Sequence, residues 1–543
     1  MEPITKDIES DIEDEEIEEY VPHPYGVKPQ GNYYFDSLNQ DFVDSRKIGL
    51  GIFQCLEDSF IIDSILDLLS ERDLCNIVNR ISKAFYLLVQ EEEPWKMRCI
   101  NRFSDGNFTF AHNWQYTFKF NASKKTFNVI PKPIQVKYFY SDFLFHIWRC
   151  TSVDLKRWEE GDTIDRKTNL SWEDFTANYL VPNKPVIISD AAKDWKAKNW
   201  TRESLIEKCG DVKLYVNSGV FMNVKEFFNY SANVQEEMPM YLFDHYYGEK
   251  VPEILDEYTA SFYFREDFFS VLGDKRPSFR WLLAGPARSG ASFHKDPNHT
   301  SAWNTVITGR KKWVMYPPHI TPPGVYPSDD GLEVTAPSSI VEWFVNFYEK
   351  DTDKDDMDQQ DDDEFLQQQK ENEKKQTRFK INNKRKGNNI QIKQKQEQQQ
   401  QQEQETYETV KPLEGILHPG EMIFVPTGWW HTVINLEESI AITHNFVDSH
   451  NVLKVIEFLK TKKKRDLHDE FVKKFQEAHP GLLEKLIQQK EEKEQEEMDK
   501  IAKKKKSLWE STTTDDNNQP NTKTFSFSFS FNDNDDGDNN ADE

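Results

Sequence analysis

Apolar residues recur at helical spacing between Leu56 and Ile100, first as Ile62, Ile65, Leu66 and Leu69, then as Leu74, Ile77, Val78 and Ile81, with the turn-prone run Ser70 to Asp73 between the two sets. A period near 3.6 broken by a turn predicts short amphipathic helices, so residues 52–100 are expected to form a small all-α module. From Val181 the pattern changes. Short apolar runs such as "VPNKPVIISD" alternate with Pro and Gly as far as Val447, which predicts a mainly β region with helical insertions. Between 351 and 405 the apolar positions nearly vanish into a glutamine-rich tract, yet strand-like sequence stands on both sides of it. It therefore reads as a solvated, disordered insertion inside one domain rather than a boundary between two. Residues 101–180, rich in Trp and other aromatics, read as a connector packing on the β region. Charged helical sequence occupies 450–506, and the acidic residues 1–30 and the Asn- and Asp-rich residues 507–543 are expected to be disordered tails.

Composition narrows the partners more than the fold. The 543 residues are 30% charged and 37% hydrophobic, with a formal net charge of −26. Such a chain repels nucleic acid as a whole and favours the approach of basic protein segments. RNA binding has no support in these residues. Five cysteines without paired spacing argue against a disulfide framework and for a reducing compartment. With no apolar leader and no uncharged apolar run near the length of a membrane span, a soluble chain without a membrane partner is expected.

The candidate chemistry begins at "SFHKDPNHTSAWN", where His294 and Asp296 stand two apart. With 13 histidines and 94 acidic residues, roughly two such triplets arise by chance, and two are present, the other being His468 to Glu470. The second lies in helical sequence, where positions i and i+2 diverge and cannot share an ion. The first is followed by strand-like sequence, and on a strand residues two apart share a face. His431, after the turn "PTG", supplies a third ligand. Two histidines and a carboxylate, with three positions open, make the facial triad of non-haem Fe(II) oxygenases. Two open positions suit a chelating 2-oxoglutarate and the third suits O2. Lys311, on the strand returning toward His294, is placed to meet the far carboxylate of 2-oxoglutarate, or else is a solvated hairpin residue. His299, His418, His444 and His450 read as surface or hydrogen-bonded histidines, and Trp429 and Trp430 as packing.

The stretches "FHKDPNHTSAWNTVITGRKKWVMYPP" and "PGEMIFVPTGWWHTVINLEESIAITHNF" closely resemble the Jumonji-C (JmjC) oxygenases, and within them the branch of bifunctional arginine demethylases and lysyl hydroxylases. The resemblance implies a double-stranded β-helix, the cupin or JmjC jelly roll with flanking helices, over 181–447. It implies Fe(II) on His294, Asp296 and His431, with no catalytic side chain beyond the metal centre. For 2-oxoglutarate it implies Lys311 on the far carboxylate, hydroxyl contacts from Tyr241 and Thr443, and a contact from Asn304. Ala291 departs from the pattern, which has threonine there, and Ser292 stands beside it. The implied activity is hydroxylation or demethylation of lysyl or arginyl side chains. Histone tails or arginine-rich nuclear proteins would be the substrates, in the nucleus or also the cytoplasm.

The helical module resembles an F-box, carried by "ISKAFYLLV" and "EPWKMRC", without the usual leading Leu-Pro pair. An F-box implies an adaptor of a cullin RING ubiquitin ligase. Leu66 and Leu69 would then face that adaptor, and otherwise the chain's own core. The alternative function is a ligase substrate receptor with a non-catalytic barrel, and a third is a barrel that binds RNA or protein without turnover.

Overall fold

The computed structural model describes residues 43–103, 105–123, 139–217, 219–328, 333–348, 411–461 and 464–513. The acidic N-terminal residues 1–30, the glutamine-rich 351–405 and nearly all of 507–543 lie outside them. The described residues up to Ala478 belong to one compact unit, and helix Leu482–Thr513 belongs to a second. That helix passes the expected boundary at 506.

Eight strands build the centre: β1 Arg280–Gly285, β2 Gly290–His294, β3 Ser301–Thr308, β4 Lys311–Tyr316, β5 Leu413–Leu417, β6 Met422–Val425, β7 Trp430–Asn435 and β8 Ser439–Phe446. One sheet has the order β6-β3-β8-β1, extended by Val186–Ile188 and Arg166–Lys167 on one edge and by Leu242–Asp244, Lys213–Val216 and Val220–Asn223 on the other. The second sheet has the order β5-β4-β7-β2. The first four strands alternate between sheets along the chain, as do the last four, which is jelly-roll connectivity.

The two-residue period of each strand sorts its side chains into layers. On β3, Trp303 and Ile307 join the helix-covered outer core while Ala302 and Val306 face the other sheet. On β8, Ile440, Ile442 and Phe446 go outward, leaving Ala441, Thr443 and Asn445 inward. On the small sheet, Val314, Tyr316, Trp430, Ile434 and Phe293 form an outer cluster, and Trp313, Met315 and Val433 face inward. Inner-face positions therefore also include Asn304, Lys311, His431 and His294. A layer of polar side chains lies where a structural sandwich would be apolar.

Helices are far more prominent than a mainly β reading allows, and the chain is mixed. The N-terminal block begins at Ser45, ahead of the expected 52, and is punctuated by serine caps: Ser70 Oγ accepts from Asp73 N at 3.1 Å and Ser82 Oγ from Phe85 N at 3.2 Å. It shares one continuous core with the large sheet. Leu66 is buried in that core and Leu69 packs against it, so neither presents itself to an adaptor. Burial of Lys96 is compensated by Glu236, 3.5 Å away, which also accepts from Trp114 Nε1 at 3.2 Å. Helix α1, Asp142–Ser152, is capped by Ser141, and helix α2, Ile340–Trp343, packs against β2 and β7.

Candidate metal centre

Strands β2 and β7 are antiparallel neighbours, and their register sets His294 directly across from His431. The register slips between His431 and Val433, an irregularity of the kind that re-aims a side chain beside a site. The two imidazole centroids are 4.2 Å apart. Asp296 arrives by a different route from the one its spacing suggests. Strand β2 ends at His294, and Asp296 stands beyond it in an extended conformation (φ −57°, ψ 140°) at the head of the turn Pro297–His299. The potential ligand atoms of His294, Asp296 and His431 nevertheless all lie within 4.8 Å of one another.

The hydrogen bonds fix which atoms are available. His294 Nδ1 lies 2.7 Å from the Ser292 carbonyl and His431 Nδ1 lies 3.1 Å from the Trp429 carbonyl. A carbonyl only accepts, so each Nδ1 carries the proton and each Nε2 presents its lone pair. Asp296 Oδ1 accepts from Asn445 Nδ2 at 3.0 Å, and the same amide donates to Thr300 Oγ1 at 2.8 Å. Asp296 Oδ2 is buried without a hydrogen-bond partner among the described residues. Burial pushes the Asp296 carboxyl up, with His294 and Asn445 pulling the other way. Burial, reinforced by His294, pushes His431 well below the ordinary histidine range. Trp313 stacks on the His431 ring at 5.7 Å and 24°. An unsatisfied carboxylate oxygen and two free imidazole nitrogens on one inner face fit a divalent metal, which would satisfy all three.

Lys311 is 1% exposed, and its ammonium donates to Tyr241 Oη at 2.7 Å. Burial alone lowers its pKa to about 7, so the solvated-hairpin alternative fails, and no carboxylate among the described residues offsets the burial. Burial raises the Tyr241 phenol. Asn304 is buried with Oδ1 unpartnered, and sits opposite Thr443 in the β3–β8 register. The Thr443 hydroxyl donates to the Trp303 carbonyl at 2.9 Å, leaving only its acceptor capacity for a ligand. Ser292 is exposed on the His294 face of β2, next to Ala291.

Sequence reasoning missed Asn445 and Trp313, which hold Asp296 and His431 in place. Asn445 lies in "THNF", and strand alternation from Thr443 would have pointed it inward. The other histidines among the described residues stay out of the site. His444 stacks on Trp303 at 4.4 Å and meets Tyr258 Oη at 3.0 Å, and burial drops its pKa to about 3. His468 and Glu470 lie in helix Arg465–Ala478, where Glu470 pairs with Lys275 at 2.6 Å.

A family model described as a cupin-like domain matches residues 172–451, just over half of the chain. The chain belongs to the cupin-like family. Among its relatives, this cupin-like protein is 39% identical over 483 residues to the arginine-specific demethylase JMJ22 of Arabidopsis thaliana, covering 86% of this chain and 84% of that protein. It is 31% identical over 337 residues to the bifunctional arginine demethylase and lysyl-hydroxylase psr-1 of Caenorhabditis elegans, covering 60% of this chain and 70% of that one. It is 26% identical over 333 residues to the 2-oxoglutarate and iron-dependent oxygenase JMJD4 of Gallus gallus, covering 54% and 61%. No helix among the described residues is long and apolar enough to cross a membrane.

Proposed function

We propose that the protein is an Fe(II)- and 2-oxoglutarate-dependent dioxygenase that demethylates or hydroxylates arginyl or lysyl side chains of proteins. The observation that carries this reading is the coincidence, inside one sandwich, of an N,N,O donor set and a buried lysine that meets no carboxylate among the described residues. His294, Asp296 and His431 would hold the metal, with both Nε2 atoms and Asp296 Oδ2 available for it. Bound iron supplies the oxidising chemistry, coupling O2 and the decarboxylation of 2-oxoglutarate to oxygen insertion into a C–H bond, with formaldehyde lost when the carbon is an N-methyl. Asn445 orients the Asp296 carboxylate, and the Ser292 and Trp429 carbonyls hold both histidines in the ligating tautomer. Lys311 and Tyr241 receive the distal carboxylate of 2-oxoglutarate, and Asn304 and Thr443 contact its body. The net charge of −26 suits basic substrates such as histone tails or arginine-rich nuclear proteins, in the nucleus.

The test separates metal from co-substrate. Asp296→Ala removes the anionic ligand, so iron occupancy and succinate formation should both collapse. Lys311→Ala leaves the donor set whole and costs about 3 to 5 kcal/mol for a broken buried pair. Iron should still bind while the KM for 2-oxoglutarate rises by about two or more powers of ten. Full turnover in both variants would overturn the assignment.

A second reading, docking to a cullin RING adaptor, is favoured by apolar side chains that the N-terminal helices leave outside: Ile52 is 85% exposed and Leu68 84%, with Ile77 and Ile81 also exposed. Leu68→Asp with Ile77→Asp should abolish adaptor pull-down and leave succinate formation intact. Unchanged pull-down ends this reading.

A further inference from the structure

A second cluster of ligand atoms lies apart from the first. Helix α1 carries His146 and Cys150 one turn apart, the spacing that puts two side chains on the same face. Glu237, in the segment leading to Tyr241, closes on the same point, and Glu342, on α2, reaches the cluster at His146. The potential ligand atoms of His146, Cys150 and Glu237 all lie within 4.8 Å of one another. His146 Nε2 is 3.7 Å from Glu237 Oε1, 3.8 Å from Glu342 Oε1 and 3.9 Å from Cys150 Sγ. The carboxylate separations are too long for hydrogen bonds. They are close to the edge of a tetrahedron with bonds of about 2.0 to 2.3 Å, about 3.3 to 3.8 Å.

The surroundings are arranged as they would be around an ion. Ser339 Oγ donates to Glu237 Oε1, and Ser338 N donates to Glu342 Oε2 at 2.8 Å, leaving Glu342 Oε1 turned toward His146. The Cys150 thiol is buried, and the cluster opens on the His146 side into a cavity of 770 Å³. Arg288, whose guanidinium donates to the carbonyls of Cys150 and Val153, is the cation at its back. A thiolate and two carboxylates carry three negative charges, which one divalent ion together with Arg288 would neutralise.

We propose that His146, Cys150, Glu237 and Glu342 form a second metal site, distinct from the His294 centre, that takes a divalent transition ion. Thiolate softness and an N,S,O,O set select zinc. Bound there, the ion ties α1 and α2 to the segment that delivers Tyr241, and α2 backs the strands bearing His294 and His431. The role is structural, a clip behind the first site.

Cobalt distinguishes the two centres, because only this one contains sulfur. The full chain, stripped of metal and titrated with Co(II), should show thiolate-to-cobalt charge-transfer absorption with tetrahedral d–d bands. The absorption should persist in Asp296→Ala and vanish in Cys150→Ala. His146→Gln, at a half-exposed position whose loss cannot unfold the core, should weaken Zn(II) binding by at least tenfold. Absence of the thiolate band in the parent protein, its persistence in Cys150→Ala, or unchanged zinc affinity in His146→Gln would each overturn the proposal, whatever the outcome at the His294 centre.

Discussion

Lys311 keeps a titratable amine at 1% exposure beside a neutral phenol, with its pKa lowered from 10.5 to about 7. The depression corresponds to an order of 5 kcal/mol against the charged form. Its sign sets two pH dependences. The unfolded chain keeps its proton up to about pH 10.5 while the ligand-free fold gives it up near 7, so the unfolded state binds more protons between those values. The stability of the ligand-free protein relative to Lys311→Met should therefore rise as pH increases from about 7 to about 10. Binding of 2-oxoglutarate runs the other way, because the dianion needs the ammonium. Isothermal titration should give an affinity at least about tenfold weaker at pH 8.5 than at pH 6.5 in the wild type, and a flat profile in Lys311→Met. A flat wild-type profile would mean that another cation receives the carboxylate.

At the scale of elements, the pairing of β2 with β7 matters most, because each strand carries one histidine. A Cβ built on Gly290 would come within 2.0 Å of the Val433 carbonyl oxygen of β7. Gly290→Ala must therefore push the two strands apart a few residues from His294 and His431. Iron affinity should fall by at least tenfold and the thermal midpoint should drop, although no ligand is touched. Normal iron binding in this variant would show that the histidine pair does not depend on the register. Part of this arrangement was legible beforehand: strand-like sequence around His294 and His431 brought the two histidines together, while Asn304 and Thr443 were named only through the family resemblance. Asp296 comes near the two histidines by a route that spacing did not show: the strand period was extended past His294, whereas the carboxylate is delivered by a turn with left-handed Asn298 and His299, which residue spacing does not announce. The N-terminal helices show the opposite failure. Helical period identified the apolar positions, but which of them face inward depends on contacts with sequence-distant elements, so Leu66 went to the core and Ile77 and Ile81 to the surface.

For the whole molecule, the relevant quantity is its field. A net charge of −26 acts over the Debye length, about 10 Å at 0.1 M salt, and exposed charges beyond it are screened. Lys311 acts on 2-oxoglutarate at contact distance in a buried site, where screening is weak. Salt should therefore separate the two substrates of the proposed reaction. Between about 20 mM and 500 mM salt, kcat/KM for an arginine-rich peptide should fall by about an order of magnitude, while the KM for 2-oxoglutarate changes by less than about twofold. A peptide of the same length with neutral residues around the target arginine serves as the control and should lose little. If the neutral peptide falls as steeply, salt is acting on the fold or the metal. If neither falls, the acidity of the chain plays no part in gathering its substrate, and recognition rests on the shape of the site alone.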